Sequence, residues 1–158
     1  MTPLSHLDEH GRAQMVDVSA KRPGRRHAKV RCVLHLSSEA FAAIQTRALA
    51  KGDAFTVAKI AGIQAAKRTA ELIPLCHPLP IEHLDLMFEP DSTTQTIRVA
   101  AAVTTTAKTG IEMEAFTAAA IAALSLYDMV KAVDPAARIT DLELISKTGG
   151  KRTFERRR

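Results

Sequence analysis

Asp128 and Lys131 stand three residues apart, so on a helix they lie side by side, where a carboxylate and an amine can exchange a proton or hold each other's charge. An ordinary surface ion pair has the same spacing and is the commoner outcome. The segment Leu72-Ile-Pro-Leu-Cys-His-Pro-Leu79 sets an imidazole, His77, among prolines, and a rigidly positioned donor stabilises charge without reorganising. A histidine packed between prolines explains it as well. Cys76 has no second ligand nearby in sequence, so neither metal binding nor thiol catalysis is indicated. Glu112 and Glu114 begin an Ala-rich run, where the positive end of a helix favours carboxylates; capping explains them about as well as ligand binding, and Met113 between them reads as core. Lys51 precedes Gly52 at a helix end, and Lys147 opens Lys147-Thr-Gly-Gly-Lys151, whose backbone amides can reach an anion. Each lysine taken alone reads as solvated surface. The Gly pair lacks Walker spacing and leads into no helix.

These groups need a scaffold. Over residues 27–36 the apolar Val30, Cys32, Leu34 and Leu36 alternate with Lys29, Arg31 and His35, the period-two pattern of a half-buried strand. Ser37 or Ser38 caps a short helix carrying Phe41, Ile44 and Ala48. Asp53 caps a second helix running to about residue 72, whose Ala58, Ala61, Gly62, Ala65 and Ala66 leave one side slim enough for another backbone to approach. Pro74, Pro78 and Pro80 then force a stiff loop over residues 73–80. Leu84, Leu86 and Phe88, a polar turn at 90–94, and Ile97, Val99, Ala101 and Val103 read as a hairpin. Thr109-Gly-Ile-Glu112 has the form of a capping box before a long helix to about residue 133, which Asp134-Pro135 stops. Ile139, Leu142 and Leu144 mark a last strand. The order β-α-α-β-β-α-β is the split βαβ pattern of ferredoxin-like α+β domains: an antiparallel sheet with helices on one face. The other face is expected to be apolar and to be covered by a second subunit.

A chain of 158 residues, 46% hydrophobic, fits one domain over residues 1–158 with loose ends at 1–14 and 152–158. Two cysteines are too few for a disulfide framework. No leader is apparent and no stretch approaches the ~20 apolar residues of a membrane span, so a cytoplasmic location and no membrane partner are expected. The net charge of +5 is local. Residues 21–31 hold six cations and no acid, and the last eight residues hold five cations and one acid, which leaves the remainder net acidic. Such clustering suits a compact polyanion better than a long one.

Five stretches together resemble the MoaC family: Met15-Val-Asp-Val-Ser-Ala-Lys21; Lys51-Gly-Asp53; Gly62-Ile-Gln-Ala-Ala-Lys-Arg68 continuing to Leu72-Ile-Pro-Leu-Cys-His-Pro78; Lys108-Thr-Gly-Ile-Glu-Met-Glu-Ala115 continuing to Tyr127-Asp-Met-Val-Lys-Ala132; and Lys147-Thr-Gly-Gly-Lys151. The resemblance implies a ferredoxin-like fold in a homohexamer, a trimer of dimers, with sites at subunit interfaces. It implies conversion of a 3′,8-cyclised dihydro-GTP to cyclic pyranopterin monophosphate and pyrophosphate in molybdenum cofactor biosynthesis. By the same resemblance Asp128, Lys131, Lys51 and Lys147 are catalytic. Leu75, Cys76, His77, Met113, Glu114, Glu112, Lys21 and Arg26 bind substrate, the last two within or beside a basic segment that closes on the triphosphate. No protein-held metal or required cofactor is implied, although Mg²⁺ can accompany the triphosphate. Ala107 and Val130 depart from the family pattern, and neither removes a functional group.

Two rival readings differ in class. A basic ferredoxin-like domain can be an RNA-binding module, but those stack bases on strand aromatics, and aromatics are 4% here with Phe88 alone in the expected strands. No nucleic-acid partner is therefore expected. An inactive assembly subunit has no chemical reason to keep Lys51, His77, Asp128, Lys131 and Lys147 together.

Overall fold

The computed structural model describes residues 7, 10–46 and 52–157. Their elements are β1 (Gly24–His35), α1 (Ser38–Gln45), α2 (Ala54–Lys67), α3 (Thr69–Leu72), β2 (His83–Asp91), β3 (Thr96–Ala107), α4 (Glu112–Val130), β4 (Arg138–Thr148) and β5 (Phe154–Glu155). The sheet order is β2-β3-β1-β4-β5, every neighbouring pair antiparallel, so the ferredoxin-like expectation holds. β1 is central because its inward side chains Ala28, Val30, Cys32 and Leu34 are fully buried, the outcome of the alternation read from sequence.

Helix α4 lies over this sheet with Ala115, Ala118, Ala119, Ala122, Ala123 and Leu126 fully buried. Its length and apolar character match those of a membrane span, contrary to the expectation that no stretch comes near one; here that apolar surface forms the core. The slim side of α2 is used as anticipated: a Cβ on Gly62 would stand 2.5 Å from Leu86 Cδ1 and 2.8 Å from the Ala118 carbonyl oxygen. Asp53 caps α2, accepting from the amides of Phe55 and Thr56 at 3.1 and 3.2 Å. Ser37 caps α1, and its own amide donates to the buried Asp134 carboxylate at 2.6 Å, which ties the exit of α4 to the entrance of α1.

Several expectations are corrected. The second helix breaks at Arg68 and resumes as the single turn α3. The helix expected to reach residue 133 ends at Val130, whose carbonyl accepts from the turn amides of both Val133 and Asp134. The open sheet face is polar, carrying Arg31 on Glu143 at 2.7 Å, Arg98 on Glu89 at 2.7 Å and His35 against Thr140. Exposed large apolar residues sit on the helices, at Val57, Ile60 and Leu124, and on the edge strands at Leu142 and Phe154. The tail expected to be loose adds β5, which pairs Phe154 with Lys147.

Candidate functional site

The chain ends of β3 and β4, the start of β1, the proline loop and the first turn of α4 enclose an open cleft of about 830 Å³. The proline loop is held rigidly. The Thr105 hydroxyl donates to the Pro80 carbonyl, the Cys76 amide to Ile73 at 3.0 Å, and the Thr106 amide to the Glu82 carboxylate at 3.1 Å. Those bonds present Leu75, Cys76 and His77 along one wall.

Opposite them, α4 begins without the expected capping box: its N-cap is Ile111, and no side chain caps the helix. The Glu112 carboxylate is taken by Lys147, whose Nζ lies 2.7 Å from Oε1. A charge-assisted bond to an ammonium outcompetes a neutral amide, which is why the local motif fails. Met113, read as core, is 37% exposed and faces the cleft, where the family resemblance had put it.

Glu114 is different from Glu112. It is 4% exposed, lines the cleft and also a smaller cavity of about 280 Å³ behind the proline loop, and carries no ion pair among the described residues. Burial pushes its carboxyl up to about 6, the neighbouring Glu112 charge adds to this, and its own backbone amide opposes it. Burial also raises the Cys76 thiol, helped by the Glu114 charge, and both effects work against a thiolate there.

The basic segment supplies Lys21, Arg22 and Arg26. Arg26 is anchored: Nε donates to the Ala107 carbonyl at 3.0 Å and Nη1 to the Gly149 carbonyl. Lys108 is part of the same wall and was missed by residue-level reading; its Nζ donates to the Ser19 carbonyl at 2.9 Å and draws the N-terminal segment over the cleft. Its one signal in the sequence is its place between an alternating strand and Thr109-Gly110. Gly149, Gly150 and Lys151 complete the rim, within the stretch whose backbone amides were read as able to reach an anion.

One chain does not bring every expected residue here. Asp128 and Lys131 pair at 2.7 Å, both about half exposed, near the far end of α4. At about 1.5 Å per residue they lie roughly 21 Å along the helix from Glu114. The Asp128 hydrogen bond and charge raise the Lys131 ammonium. Lys51 lies outside the described residues. Among the described residues no three His, Cys, Asp or Glu side chains cluster for a metal. The described donor set thus offers no protein cage for Mg²⁺.

Fold and cleft define a ferredoxin-like α+β domain with a cation-walled cleft at its strand ends, floored by one buried carboxylate. The MoaC family pattern matches residues 15–150, and the chain belongs to that family. A protein of Heliobacterium modesticaldum called cyclic pyranopterin monophosphate synthase is 49% identical over 151 residues, 96% of this chain and 95% of its own. Its namesake from Nitratidesulfovibrio vulgaris is 52% identical over 148 residues, 94% of this chain and 92% of its own. A third, from Dinoroseobacter shibae, is 49% identical, covering 96% of each.

Proposed function

We propose that the chain is a cyclic pyranopterin monophosphate synthase, converting (8S)-3′,8-cyclo-7,8-dihydroguanosine 5′-triphosphate to cyclic pyranopterin monophosphate and pyrophosphate in molybdenum cofactor biosynthesis. The observation that carries this is near-half identity, along almost the whole chain, to proteins bearing that name. The cleft supports it chemically. Glu114 and the main chain around Leu75, Cys76 and Met113 suit the N–H edge of a guanine-type ring. The cations opposite suit a triphosphate.

The reaction opens and recloses the purine-derived ring, which moves protons. A substrate hydroxyl then attacks the α-phosphorus, the α–β bridging P–O bond breaks, and its electron pair leaves with pyrophosphate. Asp128 and Lys131 are the acid/base pair, with Lys51 and Lys147 in support, and His77 meets phosphate. Since 21 Å of helix separates the pair from the cleft of its own chain, by the same estimate of roughly 1.5 Å per residue, a neighbouring copy supplies it. A homohexamer built as a trimer of dimers, working in the cytoplasm, provides such neighbours. The exposed apolar residues of α2 and α4 are consistent with buried contacts between copies.

The test is direct. Purified chain incubated with the cyclised nucleotide triphosphate is expected to release one pyrophosphate per cyclic pyranopterin monophosphate formed. Failure to form either product would end the reading.

A further inference from the structure

Residues 14–22 belong to no helix or strand, yet Val16, Lys21 and Arg22 line the cleft. Holding such a strap in one place costs backbone entropy, which specific bonds must offset. Those bonds converge on Ser19. Its amide donates to Asp17 Oδ1 at 2.8 Å, and its carbonyl accepts from Lys108 Nζ at 2.9 Å. The turn that follows is closed by the Lys21 amide on the Val18 carbonyl at 3.1 Å. Among the described residues, the Lys108 bond is the one hydrogen bond that joins residues 14–22 to the rest of the domain. The Ser19 amide holds the Asp17 carboxyl below its usual range, and the charges of Lys108 and Lys21 act in the same direction.

Lys108 stands on a fixed base. It follows Ala107, which pairs with Gly24 and whose carbonyl receives Arg26 Nε at 3.0 Å. The strap is fixed at its other end too, because Pro23 restricts its own φ, biases Arg22 toward extended geometry, and leads into β1 at Gly24. Lys21 and Arg22 therefore lie between two pins, Ser19 and Gly24.

We infer that Asp17 and Lys108 are positioning residues that close a clasp on Ser19, so that the free chain already carries residues 16–22 across its cleft. Asp17 does this without lining the cleft itself. A cover ordered in advance spares a ligand the entropy of ordering it.

The first experiment is trypsin digestion of the intact, ligand-free chain, following the Lys21–Arg22 bond by mass spectrometry. Lys108→Met is expected to speed that cleavage about tenfold, the order of one charge-assisted hydrogen bond, and Lys108→Arg to return it to within about threefold of wild type. Asp17→Ala should speed it about threefold, and the double change no more than Lys108→Met alone, because both act through one clasp. The thermal midpoint of Asp17→Ala should match wild type, since the carboxylate is at the surface.

The second experiment rests on the synthase reading and measures KM for the cyclised nucleotide triphosphate. Deleting a carboxylate near a cationic cleft would, by charge alone, tighten an anionic substrate. An unfastened strap does the reverse: Asp17→Ala is expected to raise KM about fivefold with kcat held within about twofold. Wild-type cleavage in both single variants, or a KM at or below wild type in Asp17→Ala, overturns the clasp and leaves the synthase reading standing. A wild-type chain that forms no product ends that reading instead, and the cleavage rates still decide the clasp.

Discussion

The two ends of helix α4 treat their carboxylates in opposite ways. At its start Glu114 is buried, without an ion pair among the described residues, and raised to about 6; at its finish Asp128 is half exposed and 2.7 Å from Lys131. The first arrangement is costly to the lone chain and already faces a cavity. The second is an ordinary surface contact until something covers it. On the proposed reading, the site is half built by the fold and half left on its outside for another copy to complete, and the unremarkable half is the one expected to carry the proton chemistry.

The sharpest way to break this comparison is Asp128→Asn. Product formation from the cyclised nucleotide is expected to fall by at least ~100-fold, the lower range for losing a general acid or base, with the oligomer intact by light scattering. Wild-type-like turnover would show that the far end of α4 is merely surface. Next in size is Gly149→Ala, which forces a Cβ into the Arg25 carbonyl and should destabilise the chain by about 1–3 kcal/mol in urea unfolding, loosening Arg26 as it does so.

Glu114→Gln probes the near end. The folded carboxyl sits above its usual 4.5, so the native state binds more protons than the unfolded one between about pH 4.5 and 6. The buried charge therefore lowers stability as pH rises through that window, and the penalty is complete above it. Replacing it should raise stability at pH 7.5 by on the order of 2 kcal/mol and flatten that pH dependence, while weakening nucleotide binding. A variant less stable than wild type at pH 7.5 would mean that the carboxylate has a partner. The smallest effect is expected from Lys131→Met, within about 0.5 kcal/mol on unfolding, since an exposed helix pair contributes little.

Much of this could be read from residue order, for reasons that differ by element. β1 was legible because one buried face imposes strict alternation, and α2's start because Asp53 satisfies amides two and three residues ahead. The proline loop was legible because φ restriction is local. What escaped was decided at a distance. The capping box at Thr109 failed because Lys147, 35 residues on, claimed Glu112. Met113 looked like core because a thioether carries no sign of which side of the helix opens on a cavity. The polar open face was misjudged although Arg31 and His35 were in view, since their partners Glu143 and Thr140 come from β4. Among the site residues, composition alone ranked none above surface lysines and loop histidines. The motif resemblance singled them out, and the cleft then gathered all of the expected binding residues from Lys21 to Glu114 together with Lys147.

The missing side chain at Gly62 gives α4 a pivot. A single added methyl there would meet Leu86 on one side and the Ala118 carbonyl on the other, in the middle third of the helix, so the rod would have to give way there, by sliding or by tilting. Tilting a rod about its middle swings both tips. The pocket floor and the outlying acid–amine pair would drift off station in concert, and a lesion far from either could mimic the loss of both.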